Sequence, residues 1–270
     1  MRAPALVATL HDPRGASLPL LDAAASALET YPLFVVAATA ATDPRLTARL
    51  EELGAIVVPG GHTGEGRRAV LAAAGLEYAS YFSCDFDRWL HWTRFWPQEL
   101  IALPERVARL GSRGRTPPWY VCLGRTARAF ATHPPVQRLA EAATNRALSA
   151  AAGRPLDAVS GAAWLTSEAV EIILAGSREA SAATDLEWPA LILRHDPRRL
   201  SGLRCEGLEW ETPDVHAEEI VDAGGLETWT RAIFDTPAMW ATRLRLAAAS
   251  ASALERVLTG RPNFPSQAAG

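Results

Sequence analysis

The amino-acid sequence predicts an α/β fold in which helices cover a mostly parallel sheet. Three observations support this fold class. Short, continuous apolar runs alternate with segments of helical periodicity over the first 90 residues. The runs lack the polar alternation of half-exposed strands, so they are typical of strands that are buried on both faces. The chain, with 270 residues, is also long enough to bury such a sheet in one large domain.

The first half of the chain repeats a strand-and-helix unit whose ends are recognisable. Tyr31 and Pro32 stop the first predicted helix, and Asp43 is a good N-cap for the second, which Gly54 ends. Four buried strands are predicted at 5–10, 33–37, 55–58 and 78–84. The helices between them are predicted at 18–28, 44–53 and 67–74.

The alternation is weaker after residue 90. Trp89, Trp92 and Trp96 recur at helical spacing, which favours a packed core. The remaining predicted elements are a strand at 119–123, helices at 135–150, 167–176 and from about 185, a strand-like segment at 203–212 and two C-terminal helices that residues 235–237 separate. We expect one domain at 1–220 and a C-terminal helical extension at 221–270, whose last ten residues form a flexible tail.

Composition excludes several classes of protein. The net charge is −3, so a general basic surface for nucleic acid is not expected. All 27 basic residues are Arg, which excludes Schiff-base lysine chemistry and the lysine of a P-loop. Three widely spaced cysteines support neither a disulfide framework nor a zinc site. No signal peptide or apolar run of membrane-spanning length is found, so we expect a cytoplasmic protein without a transmembrane segment.

Asp85 and Asp87 directly follow the fourth predicted strand. Ligands bind at the carboxyl edge of an open α/β sheet, so both carboxylates are expected at a binding site. Two carboxylates at this spacing can approach one hard divalent cation, Mn²⁺ or Mg²⁺, which in turn bridges phosphate oxygens. The alternative is a pair of solvated aspartates, one of which caps the next helix.

A glycine-rich segment at 60–66 follows the third predicted strand. Glycines such as Gly64 allow a phosphate close to the backbone, and a helix N-terminus near Glu65 favours anions. Arg67 and Arg68 can add charged hydrogen bonds, but adjacent helical residues cannot both face one phosphate. We expect Arg68 to make the contact, because Arg67 shares its helix face with residues that pack on the sheet. The alternative is a glycine-rich turn with two surface arginines.

These motifs resemble the GT-A class of nucleotide-sugar glycosyltransferases, in which a DxD motif follows the fourth strand of a nucleotide-binding half. The resemblance spans residues 4–90 and, more loosely, 155–190. Within the GT-A class, the sequence is similar to glycosyltransferase family 2 and to the mannosylglycerate synthases. It implies a GT-A-like mostly parallel sheet with C-terminal helices, in which 1–220 is the catalytic domain. Arg67-Arg68 and the Trp cluster after the DxD depart from common members.

The resemblance also implies roles for residues outside the DxD. Gly161, in AVSGAAWL, would floor the donor-sugar pocket. Asp185 or Glu187 would orient or deprotonate the acceptor, although Thr184 and Glu187 also match a capping box. His216 would complete the metal coordination, a role for which Asp214 competes.

Two further loops end at the same expected sheet edge. His11 and Asp12 follow the first predicted strand, and Thr39 follows the second. We expect these side chains to hold the nucleoside base and ribose.

The predicted function is a metal-dependent glycosyltransferase that moves a sugar from a nucleotide-diphosphate donor to a small-molecule or glycan acceptor. A non-catalytic module that binds nucleotide sugars is an alternative. A nucleotidyltransferase is a second alternative, but its glycine-rich loop follows the first strand, where HDPRGAS is a poor match.

Overall fold

A computed structural model describes residues 3–112 and 114–260, and within them the chain forms one seven-stranded sheet. The predicted tail at 261–270 lies outside the described residues. The strands are β1 (Ala5–Leu10), β2 (Phe34–Thr39), β3 (Ile56–Gly60), β4 (Ser80–Asp85), β5 (Tyr120–Arg125), β6 (Ala162–Thr166) and β7 (Leu200–Cys205). Their order across the sheet is β3-β2-β1-β4-β6-β5-β7.

The sheet is mostly parallel, as predicted. β1 pairs in parallel with β2 and β4, and β2 with β3, while β6 runs antiparallel to β4 and β5. β6 was not predicted, because its small residues suggested a pocket floor. The last strand was predicted at 203–212, whereas β7 ends at Cys205.

Twelve α-helices flank the sheet within the described residues. They are α1 (Leu18–Leu28), α2 (Pro44–Glu52), α3 (Thr63–Ala74), α4 (Phe86–Phe95), α5 (Pro97–Leu110), α6 (Ala127–Ala131), α7 (Pro135–Ala152), α8 (Ser167–Gly176), α9 (Thr184–His195), α10 (Ala217–Asp222), α11 (Leu226–Phe234) and α12 (Pro237–Thr259). In the part of the chain that is described, none of them combines the length and the hydrophobicity that crossing a membrane requires. The predicted boundary at 220 remains a prediction, and α12 packs against α7 and α9.

Alternate residues of the strands pack into two cores, one on each face of the sheet. Leu6 of β1 belongs to the core covered by α1, α2, α4 and α5, and Val7 belongs to the core covered by α3, α7, α8 and α9. Trp89 and Trp92 are fully buried in the first core, so the packing role predicted for them is confirmed. The three cysteines are buried and free.

One edge of the sheet gathers the ends of four parallel strands. In the strand register Thr9 lies beside Asp85, and Thr39 lies beside Gly60. β6 runs in the opposite direction, so its first residue, Ala162, pairs with Cys84 at this same edge. The edge therefore brings the loops after β1, β2, β3 and β4 next to the loop before β6.

Candidate active site

Two cavities open at this edge and share a pair of carboxylates. The larger measures about 730 Å³ and lies over the ends of β1, β2 and β3. The smaller measures about 330 Å³ and lies between α7, α12 and the start of α9. Asp85 and Asp87 line both cavities, so they lie where the two spaces meet.

The Asp85 side chain is fixed from three sides. Thr9 Oγ1 donates a hydrogen bond of 2.9 Å to Asp85 Oδ1, and Arg67 Nη2 lies 3.2 Å from both carboxylate oxygens. The Asp85 backbone N–H donates to the carbonyl of Gly161. Gly161 has φ +73°, and a Cβ there would lie 2.5 Å from Asp85 Oδ2. Only glycine therefore fits at this position without displacing the carboxylate.

Arg67 joins the DxD segment to the start of α9. Its Nη1 donates to Asp185 Oδ1 at 2.5 Å and to Thr184 Oγ1 at 3.1 Å. The guanidinium is buried, and its two carboxylate partners raise its pKa. Burial raises the pKa of Asp185 to about 6, with Arg67 acting to lower it and Asp85 to raise it. Asp185 lines the smaller cavity, so a carboxyl group with a pKa of about 6 faces this space.

Asp87 is exposed, whereas Asp85 is half-buried. The cleft walls, together with the negative charges of Glu211 and Asp85, raise the pKa of Asp87 to about 7. Behind it, Arg88 Nη1 forms a buried ion pair with Glu211 Oε2 at 2.9 Å. Asp87 therefore presents a carboxylate to any cation that enters, in a place where negative charges are crowded.

The donor set fits a cation that is shared with a ligand. Among residues 3–112 and 114–260, no group of three or more His, Cys, Asp or Glu side chains is close enough to hold a metal ion alone. Mg²⁺ is commonly bound through one or two carboxylates together with substrate phosphates and waters. Asp85 and Asp87 are hard oxygen ligands of this kind, and the larger cavity beside them has room for a phosphorylated ligand.

The larger cavity contains the side chains predicted to hold a nucleoside. His11, Asp12 and Thr39 all line it. His11 Nδ1 lies 2.8 Å from Thr39 Oγ1, so the loops after β1 and β2 are hydrogen-bonded to each other. The Asp12 carboxylate accepts the backbone N–H groups of Arg14 and Ser17, which lower its pKa despite partial burial. Asp12 therefore also shapes its own loop.

The segment before α10 closes the larger cavity from the far side. His216 lines this cavity, and its Nδ1 contacts Glu219 at 2.9 Å and Arg14 at 3.1 Å. Arg14 also forms an ion pair with Glu219. The His216 ring packs against Trp229 at a tilt of 38°, with centroids 5.1 Å apart. His216 therefore shares a cavity with Asp85 and Asp87, while Asp214, its competitor, instead contacts His91 at 2.7 Å.

Gly64 and Arg68 do not face the cavities as predicted. The Gly64 N–H donates to the carbonyl of Ala180 at 2.7 Å, and a Cβ there would lie 2.4 Å from the carbonyl oxygen of Glu179. Arg68 Nη1 donates to Ser177 Oγ and to the carbonyl of Glu179. The preference for Arg68 over Arg67 was wrong, because α3 points Arg67 at the carboxylates and Arg68 at the loop before α9.

Glu187 does not line either cavity, nor does it form the predicted capping box. The first residue of α9 is Thr184 itself, and its hydroxyl donates to the carbonyl of Ser181. Glu187 is buried, its Oε1 accepts the backbone N–H groups of both Arg178 and Glu179, and its Oε2 accepts the hydroxyl of Ser177. Its carboxylate is therefore committed to holding the loop before α9, and the acidic pair separates into one cavity residue, Asp185, and one structural residue.

Four residues of the site were not predicted. Arg88 directly follows Asp87, and Thr9 lies in the first predicted strand two positions before His11, so both adjoin predicted site residues. Glu211 and Arg243 come from distant segments, and no local pattern indicates that they line the smaller cavity.

Solved structures with the same fold are found, although no family model and no curated protein matches the chain. A glucosyl-3-phosphoglycerate synthase from Mycobacterium tuberculosis, solved with uridine diphosphate, superimposes with a TM-score of 0.50. It is 15% identical, and the match covers 85% of this chain and 79% of that one. The synthase is a GT-A glycosyltransferase. The chain has a GT-A fold.

Other structures give weaker matches to this GT-A fold. The same synthase, solved with Mn²⁺, UDP-glucose and glycerol 3-phosphate, gives a TM-score of 0.49 at 14% identity and covers 90% of this chain and 80% of its own. A mycobacterial protein gives 0.49 at 16% identity, covering 82% and 73%. The predicted resemblance is confirmed at the level of the GT-A fold by the match to the synthase solved with uridine diphosphate.

Proposed function

We propose that the protein is a metal-dependent glycosyltransferase that moves a hexose from a nucleotide-diphosphate sugar to an acceptor hydroxyl. The observation that carries this proposal is the position of Asp85 and Asp87 between two cavities. One cavity then holds the donor nucleotide, the other holds the acceptor, and the sugar passes between them at the carboxylates.

The larger cavity is the donor site in this proposal. Its volume of about 730 Å³ lies within the range of small-molecule sites, and His11, Thr39 and Asp12 provide polar groups for a base and ribose. The fold neighbour bound to uridine diphosphate supports a nucleoside diphosphate as the ligand.

Asp85 and Asp87 would hold Mn²⁺ or Mg²⁺ beside the diphosphate. Such a cation supplies charge compensation for the departing diphosphate. Thr9 and Arg67 keep the Asp85 carboxylate turned toward the cleft, and Gly161 leaves it the space. Arg67 is in this way a positioning residue, since its donors are used by Asp85, Asp185 and Thr184.

The smaller cavity is the acceptor site, and Asp185 is its reactive carboxylate. A hydroxyl bound there can donate a hydrogen bond to Asp185, which orients it toward the sugar or accepts its proton as the new bond forms. A base with a pKa of about 6 remains largely ionised at neutral pH and yet close to the working range of proton transfer.

The first test is thermal stabilisation by nucleoside diphosphates with and without Mn²⁺. We expect one nucleoside diphosphate to raise the melting temperature only when Mn²⁺ is present. Asp87→Ala should abolish this effect because it removes the carboxylate that is open to the cleft, and Asp85→Ala should weaken it. Asp22→Asn, which changes an exposed carboxylate paired with Arg49, is the matched control. Equal stabilisation of Asp87→Ala and the wild type would contradict the proposal.

Turnover separates an enzyme from a binding module. A panel of nucleotide sugars is incubated with Mn²⁺ and candidate acceptors, and release of the nucleoside diphosphate is measured. Release that depends on both donor and acceptor supports the glycosyltransferase, whereas binding of a donor without any release identifies a non-catalytic module.

A further inference from the structure

We infer that the acceptor is an uncharged, polyhydroxylated small molecule, such as a sugar or a polyol, rather than a phosphorylated or carboxylated one. This inference rests on the proposed function, since it takes the smaller cavity to be the acceptor site. It follows from how the charges that line this cavity are paired.

Every arginine that lines the smaller cavity has an acidic partner. Five carboxylates and three guanidinium groups line it, namely Asp85, Asp87, Glu141, Asp185 and Glu211 against Arg67, Arg88 and Arg243. Arg67 lies 2.5 Å from Asp185, Arg88 lies 2.9 Å from Glu211, and Arg243 lies 3.6 Å from Glu141. The charge of each arginine is therefore balanced by a carboxylate, but Arg88 Nη1 forms no hydrogen bond within the described part of the chain and Arg243 lies beyond hydrogen-bond distance of Glu141.

The guanidinium behind the wall is paired as well. Arg125 is fully buried and forms ion pairs with Asp157 at 2.9 Å and with Glu141 at 2.6 Å. Because Asp157 already balances Arg125, this group adds no free positive charge to the cavity.

The two carboxylates left over are Asp85 and Asp87. The wall has two more carboxylates than guanidinium groups, so the cavity is negative without a cation, and one divalent cation at Asp85 and Asp87 offsets this excess. In neither state does the cavity attract an anion. A phosphate or carboxylate placed there would be removed from water without a compensating charge, which is strongly unfavourable.

The rest of the wall suits hydroxyl groups. Gln137, Thr144 and Ser250 are buried polar residues that line the cavity. An amide and hydroxyls can both donate and accept, which matches the hydrogen-bonding needs of a polyol. A volume of about 330 Å³ is near the lower end of small-molecule sites, so a compact acceptor fits.

The test compares acceptors that differ in charge. Glucose is paired with glucose 6-phosphate, and glycerol with 3-phosphoglycerate. Each compound is titrated by calorimetry into the full chain, which has first been saturated with Mn²⁺ and the nucleoside diphosphate that stabilises it. If no nucleoside diphosphate binds, the proposed function is contradicted before any acceptor is tested. We expect the neutral member of a pair to bind at least about tenfold more tightly, the effect of one charged interaction. Equal or tighter binding of the anionic member would overturn the inference.

If neither pair of compounds binds, a mixture of metabolites can be used as the source of acceptors. Water-soluble metabolites of a cell extract are separated by anion exchange and incubated with the protein and a labelled donor. Labelled product from the unretained, uncharged fraction supports the inference, and product only from the retained fraction overturns it. If a bound donor yields no product from either fraction, the proposed transferase activity itself is contradicted.

Glu211→Gln tests the pairing directly. It leaves Arg88 without its ion-pair partner, so we expect the preference for the neutral compound in the binding or product assay to fall by about tenfold. Glu227→Gln, which changes an exposed glutamate on α11, should leave the preference unchanged. Circular dichroism checks that both variants fold, and the wild-type result stands by itself if Glu211→Gln does not. An unchanged preference in folded Glu211→Gln would contradict the charge argument.

Discussion

At the scale of single residues, the site depends on groups that fix the direction of one carboxylate. Thr9 and Arg67 hold Asp85 by hydrogen bonds, and Gly161 leaves the space into which it points. A carboxylate held in this way loses little conformational entropy when it binds a cation, because its side chain has already been ordered by folding.

Gly161→Ala should damage the site more than the fold. A Cβ at Gly161 would lie 2.5 Å from Asp85 and 2.8 Å from Arg88 Nε, so Asp85 must move and Mn²⁺-dependent binding of nucleoside diphosphate should weaken at least about tenfold. Gly153→Ala is the matched control, since Gly153 has a similar φ of +66° and no atom within 4 Å of its Cβ. Both variants should lose about 1–2 kcal/mol of stability from the left-handed backbone. Equal nucleotide affinity in the two variants would show that Gly161 has only a backbone role.

Substitutions of the two acidic residues at the start of α9 should have different effects, on turnover at Asp185 and on stability at Glu187. Asp185→Asn should lower turnover by about 10²–10⁴-fold with little change in melting temperature, because it removes the carboxylate that meets the acceptor hydroxyl. Glu187→Gln should cost about 1.5–3 kcal/mol of stability and leave most activity, because the amide keeps one acceptor for the two backbone N–H groups but replaces Oε2, which accepts the Ser177 hydroxyl, with an NH₂ donor. Turnover and urea denaturation of both variants check this, and full activity in Asp185→Asn would exclude it from the reaction.

At the scale of elements, helix α3 connects the sheet edge to α9. Its Gly64 lets the backbone of α3 approach the loop at 179–181, and Arg67 crosses from α3 to Asp185. Within the glycine-rich segment, Gly64 therefore lets α3 pack against the loop before α9, whereas Gly60, Gly61 and Gly66 line the larger cavity.

Adjacent arginines on α3 should differ in their effect on ligand binding. Arg67→Lys keeps the charge, but an ammonium group cannot contact Asp85, Thr184 and Asp185 in the geometry of a guanidinium. We expect it to weaken Mn²⁺-dependent binding of nucleoside diphosphate by about 1.5–3 kcal/mol in calorimetry. Arg68→Lys is the control and should leave this affinity unchanged, because Arg68 faces Ser177 and Glu179. A larger loss in Arg68→Lys would contradict the assignment.

At the scale of the whole molecule, the C-terminal half closes cavities that the N-terminal half opens. Residues 215 and 216 line the larger cavity, and Arg243 of α12 lines the smaller one. The segment just before residue 215 is tied to α4 through His91, which contacts Asp214 at 2.7 Å and Glu209 at 3.2 Å.

This tie should give the fold a defined pH dependence. Burial lowers the pKa of His91, but its contacts with Asp214 and Glu209 outweigh burial, so the pKa in the folded protein is raised above the ordinary value of about 6.5. The stabilisation is therefore fully present below about pH 6.5 and is lost as the pH rises through the raised pKa. Urea denaturation at several pH values should show that the stability advantage of the wild type over His91→Gln shrinks over this window. An advantage that stays constant with pH would mean that His91 is not charged in the fold.

The local sequence predicted the features that depend on neighbouring residues. Apolar runs and caps located the first four strands and the helices between them, and the strand ends then placed Asp85, Asp87, His11 and Thr39 at one edge. This succeeded because hydrophobic periodicity and helix caps are properties of short segments, and because parallel strands bring their carboxyl ends together.

Tertiary structure alone decided which charges meet. Arg67 and Asp185 are 118 positions apart, and the choice between Arg67 and Arg68 depended on how α3 docks beside α9. The antiparallel insertion of β6 brought Gly161 to Asp85, and α12 brought Arg243 to the smaller cavity. No segment carries these pairings in its own pattern, because they arise from how distant elements pack, and this packing sets the electrostatics of the site.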